Sequence, residues 1–312
     1  MVAPGNRVDR PPRADFHSTV LVTGGTGVMG TVVTDYLLAE GHSVRVYSRR
    51  ASQAHVSPGI EPFDGDIRDV DALAAALSGV DAVVHLVGIL REAGRAQTFG
   101  GVFLEGTRAV IQAARQAGVR HFVHVTGIGA DPDSPYAFER SRGLAERETR
   151  ESGLDWVILR PSVIFGVRDS MFDLVARSLK STWPFAVVPR QDGLYQPIWR
   201  DDAALCVAAA LRDGTLLGGT YELGGPDTWT YRELVGLALR QLKLRRILLP
   251  LPSPLLLAGA GLPRLVGKRA MVTSSELRQL THDNRTDPAV VREAFGIEPT
   301  SLSSKAAEAF AL

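Results

Sequence analysis

Leu21-Val22-Thr23-Gly24-Gly25-Thr26-Gly27-Val28-Met29-Gly30 sets Gly24, Gly27 and Gly30 at three-residue steps, between the apolar run Val20, Leu21, Val22 and a segment of helical character from Val28 to Glu40. A strand that passes through a glycine turn into a helix N-terminus lets backbone N–H groups approach a pyrophosphate, and the helix dipole favours its negative charge. The stretch therefore reads as a nucleotide-binding turn. Gly41 reads as the stop of the helix, and Ser43-Val44-Arg45-Val46-Tyr47 as a second strand, so the unit has βαβ length.

The end of that second strand selects between dinucleotides. An NAD site carries Asp or Glu about 20 residues after the glycine turn, where it accepts hydrogen bonds from the ribose and repels a 2′-phosphate. Ser48-Arg49-Arg50 stands there instead. A guanidinium offers planar donors to a phosphate and Ser48 adds one more, which favours NADP(H) over NAD(H).

Strand and helix signals alternate beyond this point: Gly59 to Asp64, Val70 to Leu77, Asp81 to Val87, Val102 to Ala117 closed by Gly118, Arg120 to Thr126, a helix from about Pro135 to Glu151 with Ser134 as its N-cap, and Trp156 to Leu159. Such alternation predicts an α/β fold with a doubly wound parallel sheet of Rossmann type. The expected organisation is a tail over 1–16, a nucleotide-binding domain over 17–166, and a smaller lobe from 167–195 and 226–312. Gln196 to Trp199, an Asp201-capped helix and Tyr221-Glu222-Leu223 read as returns to the sheet within 196–225.

Composition limits the function classes. The chain has 312 residues with 35 basic and 34 acidic side chains, a net charge of +1, which gives no sign of a nucleic-acid surface. The single cysteine, Cys206, can form no internal disulfide, as expected of a reducing, cytoplasmic setting. The first residues, with Pro4, Pro11 and Pro12 among Arg7, Arg10 and Arg13, lack the apolar core of a secretory signal. Ile247 to Leu262 is the most apolar stretch, but prolines break it and it is shorter than a spanning helix requires, so no transmembrane segment is expected.

The turn T-G-G-T-G-V-M-G, Gly65-Asp66-Ile67-Arg68-Asp69, and Arg160-Pro161-Ser162-Val163-Ile164-Phe165-Gly166 together resemble the extended and atypical short-chain dehydrogenase/reductases. His85-Leu86-Val87-Gly88-Ile89-Leu90-Arg91, Gly127-Ile128-Gly129-Ala130-Asp131, Gln196-Pro197-Ile198 and Tyr221-Glu222-Leu223-Gly224-Gly225-Pro226 are similar to the subfamily around the NADPH-binding accessory subunit of respiratory complex I, with NmrA-type sensors and photosystem assembly factors as relatives. The resemblance spans roughly residues 18 to 300. It implies Gly24, Thr26, Gly27 and Gly30 with Val28 and Met29 at the pyrophosphate, Arg49 at the 2′-phosphate, Asp66 and Ile67 at the adenine, Leu86, Val87 and Gly88 at the ribose, and Pro161 with Val163 at the nicotinamide amide.

At the catalytic positions this sequence departs from the family pattern. Reductases of this superfamily carry Tyr and Lys four residues apart on the helix after the fifth strand, the tyrosine moving the proton and the ammonium lowering its pKa while holding the ribose. Alignment through Ser141 puts Phe138 and Arg142 there. Phenylalanine has no proton to give, whereas Arg142 keeps a charge able to hold a ribose or phosphate. A shifted pair, Tyr136 with Arg140, offers one alternative acid, although a two-residue shift turns the side chain by about 200°. Thr126 matches the family's Ser/Thr position beside a substrate carbonyl, and Phe103 replaces an Asn found in active relatives.

Other candidates are weaker. His121 and His124, three residues apart in a strand, point to opposite faces, so no metal site is expected. Asp201-Asp202 reads as a helix-start anion pair rather than a catalytic carboxylate pair. Lys243, Arg245 and Arg246 precede the apolar stretch that ends at Leu262, a layout compatible with packing of the smaller lobe or with contact to a membrane surface or apolar partner over 243–262. Two function classes follow: an NADPH-dependent reductase of a small apolar carbonyl or quinone with non-standard catalytic residues, or a non-catalytic NADP(H)-binding sensor or assembly factor that acts on a protein partner.

Overall fold

The computed structural model describes residues 18–54, 57–94, 97–166, 171–181, 183–189, 193–252, 255 and 283–310. The expected tail over 1–16 lies outside them, as does most of the apolar stretch beyond Pro252. The chain divides into two compact units, one built from residues up to Pro161 with Asp201–Leu223 and Ala289–Glu298, the other from Ser162–Arg200, Gly224–Pro288 and Pro299–Leu312.

The first unit is the predicted doubly wound α/β sheet. Its strands are β1 (Thr19–Thr23), β2 (Ser43–Ser48), β3 (Ile60–Asp64), β4 (Ala82–His85), β5 (His121–Val125), β6 (Asp155–Pro161) and, after an excursion through the second unit, β11 (Thr220–Leu223). They form one sheet in the order β11-β6-β5-β4-β1-β2-β3, every neighbouring pair parallel. Because β1 pairs with both β2 and β4, the winding reverses there, and a ligand binds at the carboxyl ends around such a reversal. Val20, Leu21, Val22, Val83, Val84, Phe122 and Val123 have no exposed surface, as expected of strands covered on both faces.

Four helices cover this sheet in sequence: α1 (Val28–Ala39), α2 (Val70–Leu77), α3 (Gly106–Gln116) and α4 (Ala137–Arg150). Asp69 caps α2 by accepting from the Ala72 N–H at 3.1 Å, and Gly41 and Gly118 end α1 and α3 with φ of 85° and 76°. Two boundaries differ from the sequence reading. The segment before α3, Gly100–Glu105, is π-helical rather than a continuation of the α-helix. The helix expected from Pro135 starts at Ala137 with Tyr136 in the N-cap position. Ser134 is no N-cap: its hydroxyl accepts from the Tyr136 N–H at 3.2 Å and donates to Glu139 at 2.5 Å, a side-chain turn ahead of the helix.

The second unit holds β7 (Ile164–Phe165), α5 (Met171–Ser181), β8 (Phe185–Pro189), β9 (Leu194–Tyr195), β10 (Ile198–Trp199), β12 (Trp229–Thr230), α7 (Tyr231–Gln241) and β13 (Ile247–Leu251). A core of Phe165, Phe172, Trp199, Tyr195, Leu234, Leu237 and Phe310 binds them together. Its strands form three two-stranded pairs, β10 with β7, β12 with β9 and β13 with β8. Thus Tyr221-Glu222-Leu223 returns to the main sheet as β11, whereas Gln196 to Trp199 does not: Ile198 and Trp199 pair with Ile164 and Phe165. The helix after it, α6 (Arg200–Arg212), starts one residue before Asp201, which makes Asp201 and Asp202 first-turn anions.

Candidate functional site

A cleft of about 680 Å³ opens at the carboxyl ends of β1 to β4, lined by Gly24, Thr26, Gly27, Ser48, Arg49, Arg50, Asp66, Ile67, Leu86, Val87 and Gly88 among the residues expected from sequence. Its volume is within the range of small-molecule sites. The glycine turn builds one wall. Gly24 sits at φ 74°, and a Cβ there would lie 3.2 Å from the Val87 backbone nitrogen. Gly27 is the N-cap of α1 and offers no side chain to the first-turn N–H groups, and no acidic residue stands in that turn. The result is an uncapped helix start beside the cleft, suited to an anion.

Gly30 has a different task. A Cβ on it would stand 2.3 Å from the Gly24 carbonyl oxygen and 2.6 Å from the Gly25 backbone, so this glycine lets α1 pack on the turn. Val28 and Met29 occupy the first turn of α1 but do not line the cleft.

The opposite wall is cationic. Arg49 and Arg50 are exposed after β2, and Arg49 reaches Gln97 at 3.4 Å. Arg68 also lines the cleft and holds Asp66 with two hydrogen bonds of 2.8 and 2.9 Å. Those bonds keep the Asp66 carboxyl below its ordinary range and ionised. The sequence reading missed Arg68 as a lining residue although it stands two positions after Asp66 in a quoted motif. Tyr47, Gly65, Ile89, Gln97 and Val102 were missed as well. Tyr47 is buried, its hydroxyl donates to the Asp66 carbonyl at 3.0 Å, and burial together with Asp69 and Asp66 pushes its pKa up to about 12. Gly65 lies against it: a Cβ there would meet the Tyr47 hydroxyl oxygen at 2.0 Å.

Uncapped N–H donors, glycines where side chains would intrude, and the exposed guanidinium groups of Arg49 and Arg50 fit a dinucleotide. The donor set is basic and hydrogen-bonding, as a pyrophosphate requires.

The carboxyl ends of β5 and β6 hold the candidate catalytic residues. Thr126 follows β5, its N–H bonded to the Leu159 carbonyl at 2.9 Å, and the Ile128 N–H reaches the carbonyl of Pro161 at 3.2 Å. The Thr126 hydroxyl, expected beside a substrate carbonyl, instead donates to Glu146 at 2.7 Å. Glu146 has no exposed surface. It also receives Arg160 through two bonds of 2.8 and 2.6 Å and Arg150 at 2.8 Å, and Arg160 extends to the Ala130 carbonyl and to Glu222. A substrate carbonyl would compete with a carboxylate for the Thr126 proton. This ion network was not read from the sequence, although Arg142, Glu146 and Arg150 repeat at the four-residue spacing of one helix face.

Phe138 packs edge-on against Phe99 and Phe103, with ring centroids 5.2 and 5.8 Å away, and the cluster includes Ala145 and Ile89. Arg142 lies over the Phe138 ring at 4.2 Å, is only 7 % exposed, and donates to the Ile128 carbonyl at 3.2 Å. Its Nε meets no acceptor among the described residues, and burial lowers its pKa to about 10, so it stays charged at neutral pH. Tyr136 is exposed in an extended conformation ahead of α4, and Arg140 donates to the Ser134 carbonyl at 2.8 Å. Tyr136 and Arg140, the alternative pair, are joined through the backbone, the Arg140 N–H donating to the Tyr136 carbonyl at 2.9 Å.

Val163 belongs to the second unit, where its carbonyl accepts from the Ile198 N–H at 3.0 Å and its side chain packs on the core. His85 and His124 form a buried polar layer instead of a metal site, their rings 4.9 Å apart; His85 contacts the hydroxyls of Thr23 and Thr107, and His124 that of Thr149. No group of His, Cys, Asp and Glu among the described residues has the arrangement of a metal site.

A glycine turn at the reversal point of an all-parallel, doubly wound sheet defines a nucleotide-binding protein of the Rossmann class. The chain belongs to the NAD(P)H-binding family, whose model matches residues 24–192, and within it to the atypical short-chain dehydrogenase/reductases that include complex I accessory subunits. It is 25 % identical over 297 residues, 92 % of this chain and 77 % of the relative, to the mitochondrial 40 kDa subunit of NADH-ubiquinone oxidoreductase of Neurospora crassa. It is 32 % identical over 218 residues, 69 % of this chain and 71 % of the relative, to an NAD(P)H azoreductase of Xenophilus azovorans. The crystal structure of a Citrobacter sp. triphenylmethane reductase complexed with NADP(H) shares the fold, with a TM-score of 0.74 at 20 % identity over 94 % of this chain and 100 % of that one. No helix among the described residues is long and apolar enough to cross a membrane.

Proposed function

We propose that the protein is an NADPH-dependent reductase of small apolar quinones or acceptors of similar electron demand, working without a protein acid at the usual tyrosine position. The observation that carries this reading is Phe138, held in the aromatic cluster of Phe99 and Phe103 with the Arg142 guanidinium against its face. NADPH, when bound, supplies a hydride. Reduction of a simple ketone leaves an alkoxide about as basic as hydroxide, the conjugate base of water at about 15.7, and needs an acid at hand. Hydride addition to a quinone leaves a phenolate-like anion whose conjugate acid has a pKa of about 10, which water protonates unaided. Loss of the tyrosine therefore removes ketones from the substrate range before it removes quinones.

In this reading Gly24, Thr26 and Gly27, with the N–H groups of Val28 and Met29, receive the pyrophosphate, and Gly30 allows the turn to close. Ser48, Arg49 and Arg50 hold the 2′-phosphate and set the preference for NADP(H), since no carboxylate stands at the end of β2. Asp66 and Ile67 face the adenine, Leu86, Val87 and Gly88 the ribose, and Pro161 the nicotinamide amide. Arg142, cationic and short of one acceptor, steadies the anion that forms on the acceptor. Thr126, its proton drawn toward Glu146, accepts a hydrogen bond rather than giving one. The relative named as an NAD(P)H azoreductase supports a reductase that takes its hydride from a nicotinamide cofactor.

The test is NADPH oxidation with a series of benzoquinones and naphthoquinones beside simple aldehydes and ketones, using wild type and Tyr136→Phe. Turnover with quinones alone, unchanged in the variant, is the expected result. Loss of turnover in Tyr136→Phe would make that tyrosine the acid and refute the account. A second reading, a non-catalytic NADP(H)-binding accessory factor, rests on the engagement of Thr126 by Glu146 and on the complex I relatives; it expects nucleotide binding with no turnover on any acceptor.

A further inference from the structure

In the second unit β8 and β13 form a two-stranded parallel sheet in which Phe185 stands opposite Ile247 and Val187 opposite Leu249. Ala186, Val188 and Leu248 pack into the core of the unit. Side chains alternate across a strand, so Phe185, Val187, Ile247 and Leu249 share the other face, and all four are exposed. A strand face open to water ordinarily carries polar side chains, and parallel strands are ordinarily covered on both sides. Trp183, two residues before β8 and 81 % exposed, extends the apolar surface.

Because the two strands are parallel, their amino ends coincide. The exposed Lys180 stands ahead of β8, and the exposed Lys243 and Arg245 stand ahead of β13, at that same end of the patch, while the Arg246 guanidinium turns back to the Leu179 and Arg245 carbonyls. Residues 174–189 and 241–252 carry five lysines and arginines and no Asp or Glu. The face carries only aliphatic and aromatic side chains, Phe185, Val187, Ile247 and Leu249. A tryptophan at its edge and a rim of one charge match the boundary between acyl chains and anionic headgroups.

We propose that this sheet face docks on the surface of an anionic lipid bilayer, its apolar side chains at the headgroup boundary and its basic rim against the phosphates. The argument is independent of the nucleotide cleft. It is tested by sedimenting the full chain with phosphatidylcholine vesicles and with vesicles that also contain phosphatidylglycerol, at low and high salt. Pelleting with the anionic vesicles alone, weakened by salt, is expected. Lys243→Gln/Arg245→Gln should lower the partition roughly 25-fold, at about fivefold per cation, and Phe185→Ser/Ile247→Ser should abolish it in protein that keeps its far-ultraviolet circular dichroism. Failure to pellet with either vesicle overturns the proposal, as does equal binding to both or binding that survives both variants. A vesicle-free dimer that Phe185→Ser/Ile247→Ser dissociates overturns it in favour of a second copy of this chain.

Discussion

Replacing His124 with Asn should change how the fold responds to acid. His124 and His85 are buried, their pKa values held down chiefly by that burial, with the Arg150 cation adding to the effect on His124 and His124 itself adding to the effect on His85. The His124 value falls to about 3. The Thr149 hydroxyl donates to the Ala145 carbonyl, so it accepts from the His124 Nδ1–H, and the imidazole is built into the helix–sheet contact as a neutral donor. In the unfolded chain the same ring takes up a proton near pH 6.5. A folded-state pKa that is lowered in this way means that the unfolded state binds more protons as the pH falls. Stability contributed by the neutral ring is complete above pH 6.5 and declines below it, down to the folded pKa. The slope is about 1.4 kcal/mol per pH unit, so between pH 6.5 and 5 His124 removes about 2 kcal/mol, and His85 acts in the same direction. Urea unfolding of wild type and His124→Asn, followed by circular dichroism at pH 7.5 and 5, reads this directly. The variant loses the ring's packing and is less stable at pH 7.5, but its deficit should shrink by about 2 kcal/mol at pH 5, because asparagine does not titrate. A deficit of the same size at both pH values would refute the reasoning.

Arg49→Ala should reduce the preference for NADPH over NADH about 10- to 100-fold, read as thermal shifts or as dissociation constants, since a charge-assisted hydrogen bond contributes about 1.5–3 kcal/mol. An unchanged ratio would place the 2′-phosphate elsewhere. Gly30→Ala puts a methyl group against the Gly24 and Gly25 backbone and should lower stability by about 1–3 kcal/mol and abolish the shift produced by nucleotide; wild-type nucleotide binding in this variant would count against the turn. Arg160→Met leaves the fully buried Glu146 with Arg150 and Thr126 as its remaining partners, and should cost about 3 kcal/mol in denaturant unfolding.

The sequence specified the winding of the sheet through local chemistry. Val20 to Val22, the glycine steps and Gly41 each dictate a backbone conformation over a few residues, and those signals survive without knowledge of what packs on them. Gly24 and Arg49 follow strand ends whose positions the pattern fixes, and Leu86 to Gly88 were expected from the family resemblance; all of them line the cleft. What the sequence could not show depended on long-range pairing. Gln196 to Trp199 has strand character, but only the fold decides that it joins β7 instead of the central sheet. Ser134 before Pro135 has the composition of a helix cap, yet its hydroxyl reaches Glu139 and the helix starts later. Glu146 became the centre of an ion network through contacts to Thr126 and Arg160, 20 and 14 positions away. Phe138 and Arg142 were visible as departures from a reductase pattern. That the phenylalanine sits in an aromatic cluster and the guanidinium lies buried against it was decided by tertiary packing, because burial is a property of what surrounds a side chain and not of the side chain itself.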